Sequence, residues 1–61
     1  MGHDEIIMDL GLIDPNGNIN IEQNSENLTW YWEDYSNDTY RKGFSSELEA
    51  FEDVKYILSS I

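Results

Sequence analysis

The sequence predicts one α+β domain, in which a small antiparallel β-meander of three or four strands carries one C-terminal amphipathic helix on one face. Three observations lead to this prediction. Apolar residues recur at helical spacing in the last third of the chain, aromatic residues alternate with polar ones in the middle, and Asn, Asp, Gly and Pro mark the turns between these segments. The 61 residues suffice for a single domain, 1–61, with a small core.

The first segment fits two structures. Every second residue from Ile6 to Leu12 is apolar, which is the spacing of a half-buried strand, and we favour a strand over residues 4–10. The alternative is a short helix with Asp4 as its N-cap and Gly11 at its C-terminal end. The sequence leaves both interpretations open.

Residues 14–18 have the composition of a turn, Asp-Pro-Asn-Gly-Asn. Pro fixes one backbone dihedral angle, and Asn-Gly readily takes the positive φ of a tight hairpin. We therefore expect a hairpin around Asn16 and Gly17, with the preceding apolar residues in one strand and the following Ile-x-Ile pattern in the other. A two-residue loop places Leu12 opposite Ile21.

The middle of the chain, residues 28–35, is rich in aromatic residues that favour strands. Alternation predicts two faces, which consist of Leu28, Trp30 and Trp32 on one side and Thr29, Tyr31, Glu33 and Tyr35 on the other. The helix is expected to pack on the side of the two tryptophans.

A turn over residues 36–39 is expected to lead into a short strand, residues 40–44. Regular alternation places Tyr40 and Phe44 on one face of this strand and Arg41 on the other. Phe44 would then share the tryptophan face beneath the helix.

The last segment predicts an amphipathic helix from about Glu47 to Ser59. Ser46 followed by Glu49 three residues later forms a capping box. The apolar residues then recur at three- and four-residue spacing, at Leu48, Phe51, Val54, Leu58 and Ile61. Acidic residues in the first turn complement the helix dipole.

The charge of the chain constrains its partners. Thirteen acidic residues and three basic ones give a formal net charge of −10. Such a chain repels nucleic acid and anionic membranes, so we expect neither direct nucleic acid binding nor membrane binding. No apolar run exceeds three residues and no signal peptide pattern opens the sequence, so the cytoplasm is the expected location. A basic protein is the expected partner.

The residue types present argue against catalysis, a cofactor or a metal site. The chain has no cysteine, its one histidine is His3, and its four glycines are isolated. An Asp-x-Asn-x-Asn pattern begins at Asp14 like half of a calcium loop, but Ile19 and Ser25 stand where that loop needs Gly and Glu. We therefore expect a binding protein and not an enzyme.

The candidate partner-binding residues are the acidic clusters and the tyrosines between them. Carboxylates at the end of the aromatic strand and along the helix are spaced like charges on nucleic acid, and exposed tyrosines make good interface anchors. The set is Tyr31, Glu33, Asp34, Tyr35, Asp38, Glu49, Glu52 and Asp53. The alternative interpretations are solvated surface for the acids and, for Tyr31 and Tyr35, packing against another strand or a second subunit.

In charge and length the chain resembles phage-encoded inhibitors of the anti-CRISPR, anti-restriction and DNA-glycosylase-inhibitor types. The resemblance rests on no sequence motif. It implies nucleic acid mimicry, in which the acidic protein occupies the groove of a basic nucleic-acid-handling protein. Two other hypotheses are an immunity protein or antitoxin that neutralises a basic toxin, and a structural module that forms a homodimer and is acidic incidentally.

Overall fold

The computed structural model describes residues 2–60, which form five elements. In chain order these are α1 (His3–Ile13), β1 (Ile19–Gln23), β2 (Trp30–Asp34), β3 (Thr39–Phe44) and α2 (Glu47–Ser59). The strands form one antiparallel sheet in the order β1-β2-β3, and α2 packs on one of its faces. The predicted α+β class and the C-terminal helix on the sheet are confirmed, with three strands in the meander.

Helix α2 has the bounds that the sequence predicts. Its N-cap is Ser46, whose hydroxyl oxygen accepts a hydrogen bond from the Glu49 backbone N–H at 3.1 Å. Ala50, Phe51 and Val54 are fully buried on its inner face. Burial of an aliphatic or aromatic side chain contributes about 1.5–3 kcal/mol, so this face of α2 stabilises the domain more than the cap does.

The core lies between α2 and the sheet. Its buried cluster combines Ile19 of β1 and Trp32 of β2 with Ala50 and Val54 of α2. Partly buried apolar residues from every element surround this cluster: Leu10, Ile21, Trp30, Phe44, Ile57 and Leu58. The helix therefore covers the tryptophan face, as the sequence predicts.

The favoured strand over residues 4–10 is wrong, because this segment lies within α1. Ile6 and Leu10 are four residues apart, so one helical turn brings both to the same side. There Ile6 is buried, and Leu10 packs against the core. The helical hydrogen bonds also satisfy the backbone within the segment, so it needs no strand partner. The helix passes through Gly11 and ends at Ile13, two residues beyond the end expected for the alternative.

The predicted hairpin around Asn16 and Gly17 is also wrong. The turn connects α1 to β1, and Ile21 pairs with Trp32 instead of Leu12. The turn itself is present: the Gly17 N–H donates to the Asp14 carbonyl oxygen at 3.2 Å, and Gly17 has φ +70°. The two Asp14 carboxylate oxygens accept hydrogen bonds from the backbone N–H groups of residues 18 and 19, at 3.1 and 2.7 Å respectively. Asp14 thereby fixes the start of β1.

Strand β3 contains a bulge that changes which residues face the helix. The pairing shifts between Trp30 and Tyr31 of the neighbouring strand, and Gly43 takes a left-handed conformation with φ +91°. Because of the extra residue, Tyr40 and Phe44 lie on opposite faces, in contrast to the prediction. Arg41 pairs with Trp32 and so lies on the helix side.

Leu28 is a further departure from prediction. It lies outside β2, is exposed, and has φ +61°, so it does not join the two tryptophans on the inner face. Its carbonyl oxygen instead accepts a hydrogen bond from the Gln23 side chain at 3.1 Å within the β1–β2 connection. The inner face of β2 therefore begins at Trp30.

Candidate functional site

Within the part of the chain that the structure describes, helices cover only one of the two faces of the sheet, and the other is free of them. Paired residues of an antiparallel sheet lie on the same face, so the register assigns the side chains of this face. We call it the open face, and it consists of Asn20, Glu22, Tyr31, Glu33, Tyr40 and Lys42. It combines two carboxylates, two tyrosines and one lysine.

Two contacts organise the centre of the open face. The Tyr31 hydroxyl donates to the Glu22 carboxylate, with 2.7 Å between the oxygens. The Tyr31 ring lies against that of Tyr40, with 5.7 Å between the ring centroids and a tilt of 54°. Such tilted aromatic pairs are favourable, and they fix the orientation of both rings. The two tyrosines therefore form an ordered aromatic centre between acidic neighbours.

The same contacts shift two pKa values. Hydrogen bonds from Asn20 and then from Tyr31 hold the pKa of the Glu22 carboxyl below its ordinary value. The bond to Glu22 raises the pKa of Tyr31 to about 12, with further contributions from desolvation and from the negative charge of Glu22 and Glu33. At neutral pH the open face thus presents an ionised Glu22 beside a neutral phenol.

A shallow cleft lies beside the tyrosine pair. Its volume is about 230 Å³, and its lining, which is as apolar as it is polar, consists of Asn24, Asn27, Thr29, Tyr31, Tyr40, Lys42 and Gly43. Small-molecule sites usually have about 300–1,000 Å³ and mainly apolar walls. This cleft is smaller than that. A second and more open depression, of about 520 Å³, adjoins it on the side of Glu22 and Glu33.

Three predicted site residues, Asp34, Tyr35 and Asp38, lie at the turn after β2, and one of them differs from the other two in its exposure. Asp34 is only 5% exposed, and its carboxylate accepts bonds from the Ser36 backbone N–H, the Ser36 hydroxyl and the Asn37 amide at 3.0, 2.7 and 2.8 Å. The bonds from Ser36 and then Asn37 hold the pKa of Asp34 below its ordinary value. Asp34 therefore organises the turn, whereas Tyr35 and Asp38 are exposed on its surface.

The outer face of α2 carries the remaining predicted residues. Glu49 and Glu52 are exposed, and Tyr56 lies one turn after Glu52, also exposed. Asp53 differs, because its carboxylate accepts a hydrogen bond from the Trp32 indole at 2.9 Å and pairs with Arg41 at 2.7 Å. Glu49 also accepts a hydrogen bond from the Ser45 hydroxyl.

The predicted residues do not form one continuous site. Tyr31 and Glu33 lie on the open face, while Glu49 and Glu52 belong to the helix that covers the opposite face. Two acidic and aromatic surfaces result, with the sheet between them. Asp34 and Asp53 are held by intramolecular bonds, so the accessible carboxylates of the predicted set are Glu33, Asp38, Glu49 and Glu52.

The predicted set does not include Glu22, Tyr40 or Tyr56, although all three belong to these surfaces. The prediction for Tyr40 is wrong, because it places this residue on the face that the helix covers. For Tyr40 the available signal was Gly43, because a glycine inside a strand often marks a bulge. For Tyr56 it was the position one helical turn after two acidic residues.

Few of the acidic side chains in residues 2–60 are neutralised by a basic one. Arg41 forms an ion pair with Asp53 at 2.7 Å, and His3 Nδ1 forms a hydrogen bond with the Glu47 carboxylate at 2.6 Å. Lys55, which neighbours Glu52 on the helix, lies instead over the Phe51 ring, 4.8 Å from its centroid. Most of the excess negative charge thus remains available to a partner.

Two further properties bear on the chemistry of the site. Within residues 2–60, no group of three or more His, Asp or Glu side chains is arranged to hold a metal ion. Over the same range, neither helix has the length and apolar character that crossing a bilayer requires.

Comparison with known proteins yields no match, whether to a family model, to a curated protein or to a solved structure.

Proposed function

We propose that this protein binds and inhibits a basic, nucleic-acid-handling protein. Its carboxylates would occupy the positions at which that protein binds the phosphates of nucleic acid. The net charge of −10 and the small number of internal ion pairs support the proposal. Charge complementarity of this size accelerates association with a basic surface and opposes association with nucleic acid. The proposed setting is the cytoplasm.

The observation that carries the proposal is the open face. Glu22 lies opposite Tyr31, and Glu33 is two residues from Tyr31 along the same strand. Glu22 and Glu33 are therefore diagonal neighbours on this face, about 7–8 Å apart, which is of the same order as the spacing of charges along a nucleic acid strand. The tyrosine pair between them supplies the rigid aromatic contact area that interface hot spots use.

The test is competition between the proposed partner and nucleic acid. The tagged protein is used as bait in a bacterial lysate, with and without excess duplex DNA. We expect a basic nucleic-acid-binding protein to be retained and then released by the DNA, because both ligands occupy the same groove. A captured protein that DNA does not displace would remove the support for mimicry.

A charge-matched pair of variants then distinguishes the two acidic surfaces. Glu22→Gln/Glu33→Gln and Glu49→Gln/Glu52→Gln each remove two negative charges, the first from the open face and the second from α2. We expect the first to weaken binding of the captured partner by about tenfold or more, since removing one partner of a charge pair that is buried in an interface costs about 2 kcal/mol or more. The second should change affinity less. The reverse order would move the site to α2.

The tyrosine pair also favours a second candidate, an immunity protein or antitoxin for a basic toxin. Ordered aromatic anchors suit one fixed partner better than they suit general imitation of a phosphate backbone. Capture of a basic protein that is indifferent to DNA, combined with protection of that protein's target, would favour this function over mimicry.

A further inference from the structure

Helix α1 exposes large apolar side chains on its outer side. Ile6 is buried and Leu10 packs against the core, so these two residues define the inner side. Met8 and Leu12 remain 71% and 80% exposed, and Ile7 is about half exposed. A helix that is apolar on two sides is usually covered on both, but nothing in residues 2–60 covers the outer side of α1.

The exposed apolar residues form a stripe. Met8 and Leu12 are four residues apart, which places them one above the other on one face of the helix. Ile7 adjoins Met8 at the edge of this stripe. The backbone of α1 comes close to α2 and to none of the three strands in the described chain, so the stripe lies on the surface.

The charges around the stripe indicate what would cover it. Asp4 and Glu5 lie one turn before Met8 and are exposed, and α1 contains no Lys or Arg. An apolar stripe with an acidic border complements an apolar stripe with a basic border. We infer that the outer face of α1 docks an amphipathic cationic helix of a partner protein, with its apolar side on Met8 and Leu12. This surface is separate from the open face and goes beyond the proposed function.

A second copy of the chain fits this surface poorly. Each copy has a charge of −10, and both would bring acidic residues to the contact. Anionic lipid is disfavoured by the same acidic border.

The experiment uses the full chain and a defined probe. The probe is a fluorescent synthetic amphipathic peptide with leucine along one helical face and lysine along the other. There are two control peptides. In the first, glutamate replaces every lysine, and in the second, serine replaces every leucine. We expect fluorescence anisotropy to detect binding of the leucine–lysine peptide, with both controls binding at least about tenfold more weakly, as expected when either charge or apolar contact is lost.

Matched variants locate the binding. Met8→Gln/Leu12→Gln keeps every charge and changes exposed side chains, so circular dichroism should show an intact fold. We expect it to weaken peptide binding about tenfold or more, because it removes apolar contact area. Glu49→Gln/Glu52→Gln removes two negative charges from the outer face of α2. It should bind the leucine–lysine peptide nearly as well as the parent protein does.

Several results would overturn the inference. These are unchanged binding by Met8→Gln/Leu12→Gln, equal binding of the serine–lysine peptide, or binding of the parent protein to neutral lipid vesicles through the same two residues. Sedimentation showing a dimer that Met8→Gln/Leu12→Gln dissociates would assign the stripe to a second copy. None of these results depends on DNA competition, so the inference and the proposed function fail separately.

Discussion

The indole N–H of Trp32 donates a hydrogen bond to the Asp53 carboxylate across the boundary between sheet and helix, with 2.9 Å between nitrogen and oxygen. Trp32 is only 2% exposed, so its N–H has no access to bulk water and needs an internal acceptor. The same carboxylate oxygen lies 2.7 Å from the Arg41 Nε. Asp53 therefore joins α2 to both β2 and β3.

Asp53→Ala should destabilise the domain by about 1–3 kcal/mol, because it leaves a buried indole N–H without an acceptor and Arg41 without its ion pair. Urea unfolding, followed by tryptophan fluorescence, measures this change in the free energy of unfolding. Glu52→Ala is the control, since Glu52 is exposed on the same helix, and its effect should stay within about 0.5 kcal/mol. Equal losses in the two variants would contradict the structural role of Asp53.

Asp34 should make stability depend on pH. Its pKa is lowered in the folded protein, so it binds a proton more readily when unfolded, and its stabilising contribution is present above the ordinary aspartate pKa of about 3.9. The contribution is lost as the pH falls through the lowered value. We expect Asp34→Asn to be less stable than the parent by about 1–2 kcal/mol near neutral pH, with the difference shrinking in acid.

The matched control for Asp34 is Asp38→Asn in the same turn. Asp38 is exposed and has φ +50°, a conformation that Asn also tolerates well. Its effect on the free energy of unfolding should be small, within about 0.5 kcal/mol, as is usual for an exposed residue. A difference between parent and Asp34→Asn that persists unchanged in acid would show that the carboxylate charge is not what stabilises the turn.

The phenol of Tyr31 should titrate later than an ordinary tyrosine. Its pKa is raised to about 12, chiefly because its neutral hydroxyl donates to Glu22. Glu22→Gln removes the charged acceptor and should return the pKa of Tyr31 towards the ordinary value of about 10. Glu33→Gln removes only a charge that does not bond to the phenol, so it should lower this pKa less. The ultraviolet absorbance of tyrosinate, compared with that of Tyr31→Phe, reports the titration. Equal effects of Gln at the two positions would contradict the hydrogen bond.

Two glycines should respond to alanine in opposite directions. Gly43 has φ +91° at the bulge, so Gly43→Ala places a side chain in a strained conformation and should cost about 1 kcal/mol or more. Gly11 lies inside α1, and a methyl group at this position would meet no other element within 4 Å, so Gly11→Ala should stabilise by about 0.4–1 kcal/mol. Thermal unfolding compares the two, and the same sign for both would contradict the backbone assignment.

The sequence predicts those elements whose local signals agree with one another. In α2 the capping box, the acidic first turn and the apolar spacing all indicate one helix. In the first segment, by contrast, the apolar residues between Ile6 and Leu12 fit both a strand and a helix. Tertiary packing of Ile6 and Leu10 against the rest of the chain decides between them, and local pattern does not contain that information.

The candidate site is predictable to a similar extent. Alternation along β2 correctly places Tyr31 and Glu33 on the face opposite the tryptophans. It fails for Tyr40, because the bulge at Gly43 adds one residue to the count. It also leaves open which carboxylates are accessible, since the internal bonds of Asp34 and Asp53 form only once the turn and the helix are in place.

The bulge at Gly43 has a consequence for the behaviour of the protein in concentrated solution. Strand β3 is an outer strand of the sheet, and an outer strand exposes backbone groups that can recruit further chains into fibrils. The bulge interrupts the regular pairing of this strand, and Lys42 places a positive charge on it. We therefore expect the irregularity that reorients Tyr40 also to oppose edge-to-edge pairing of β3 with other chains.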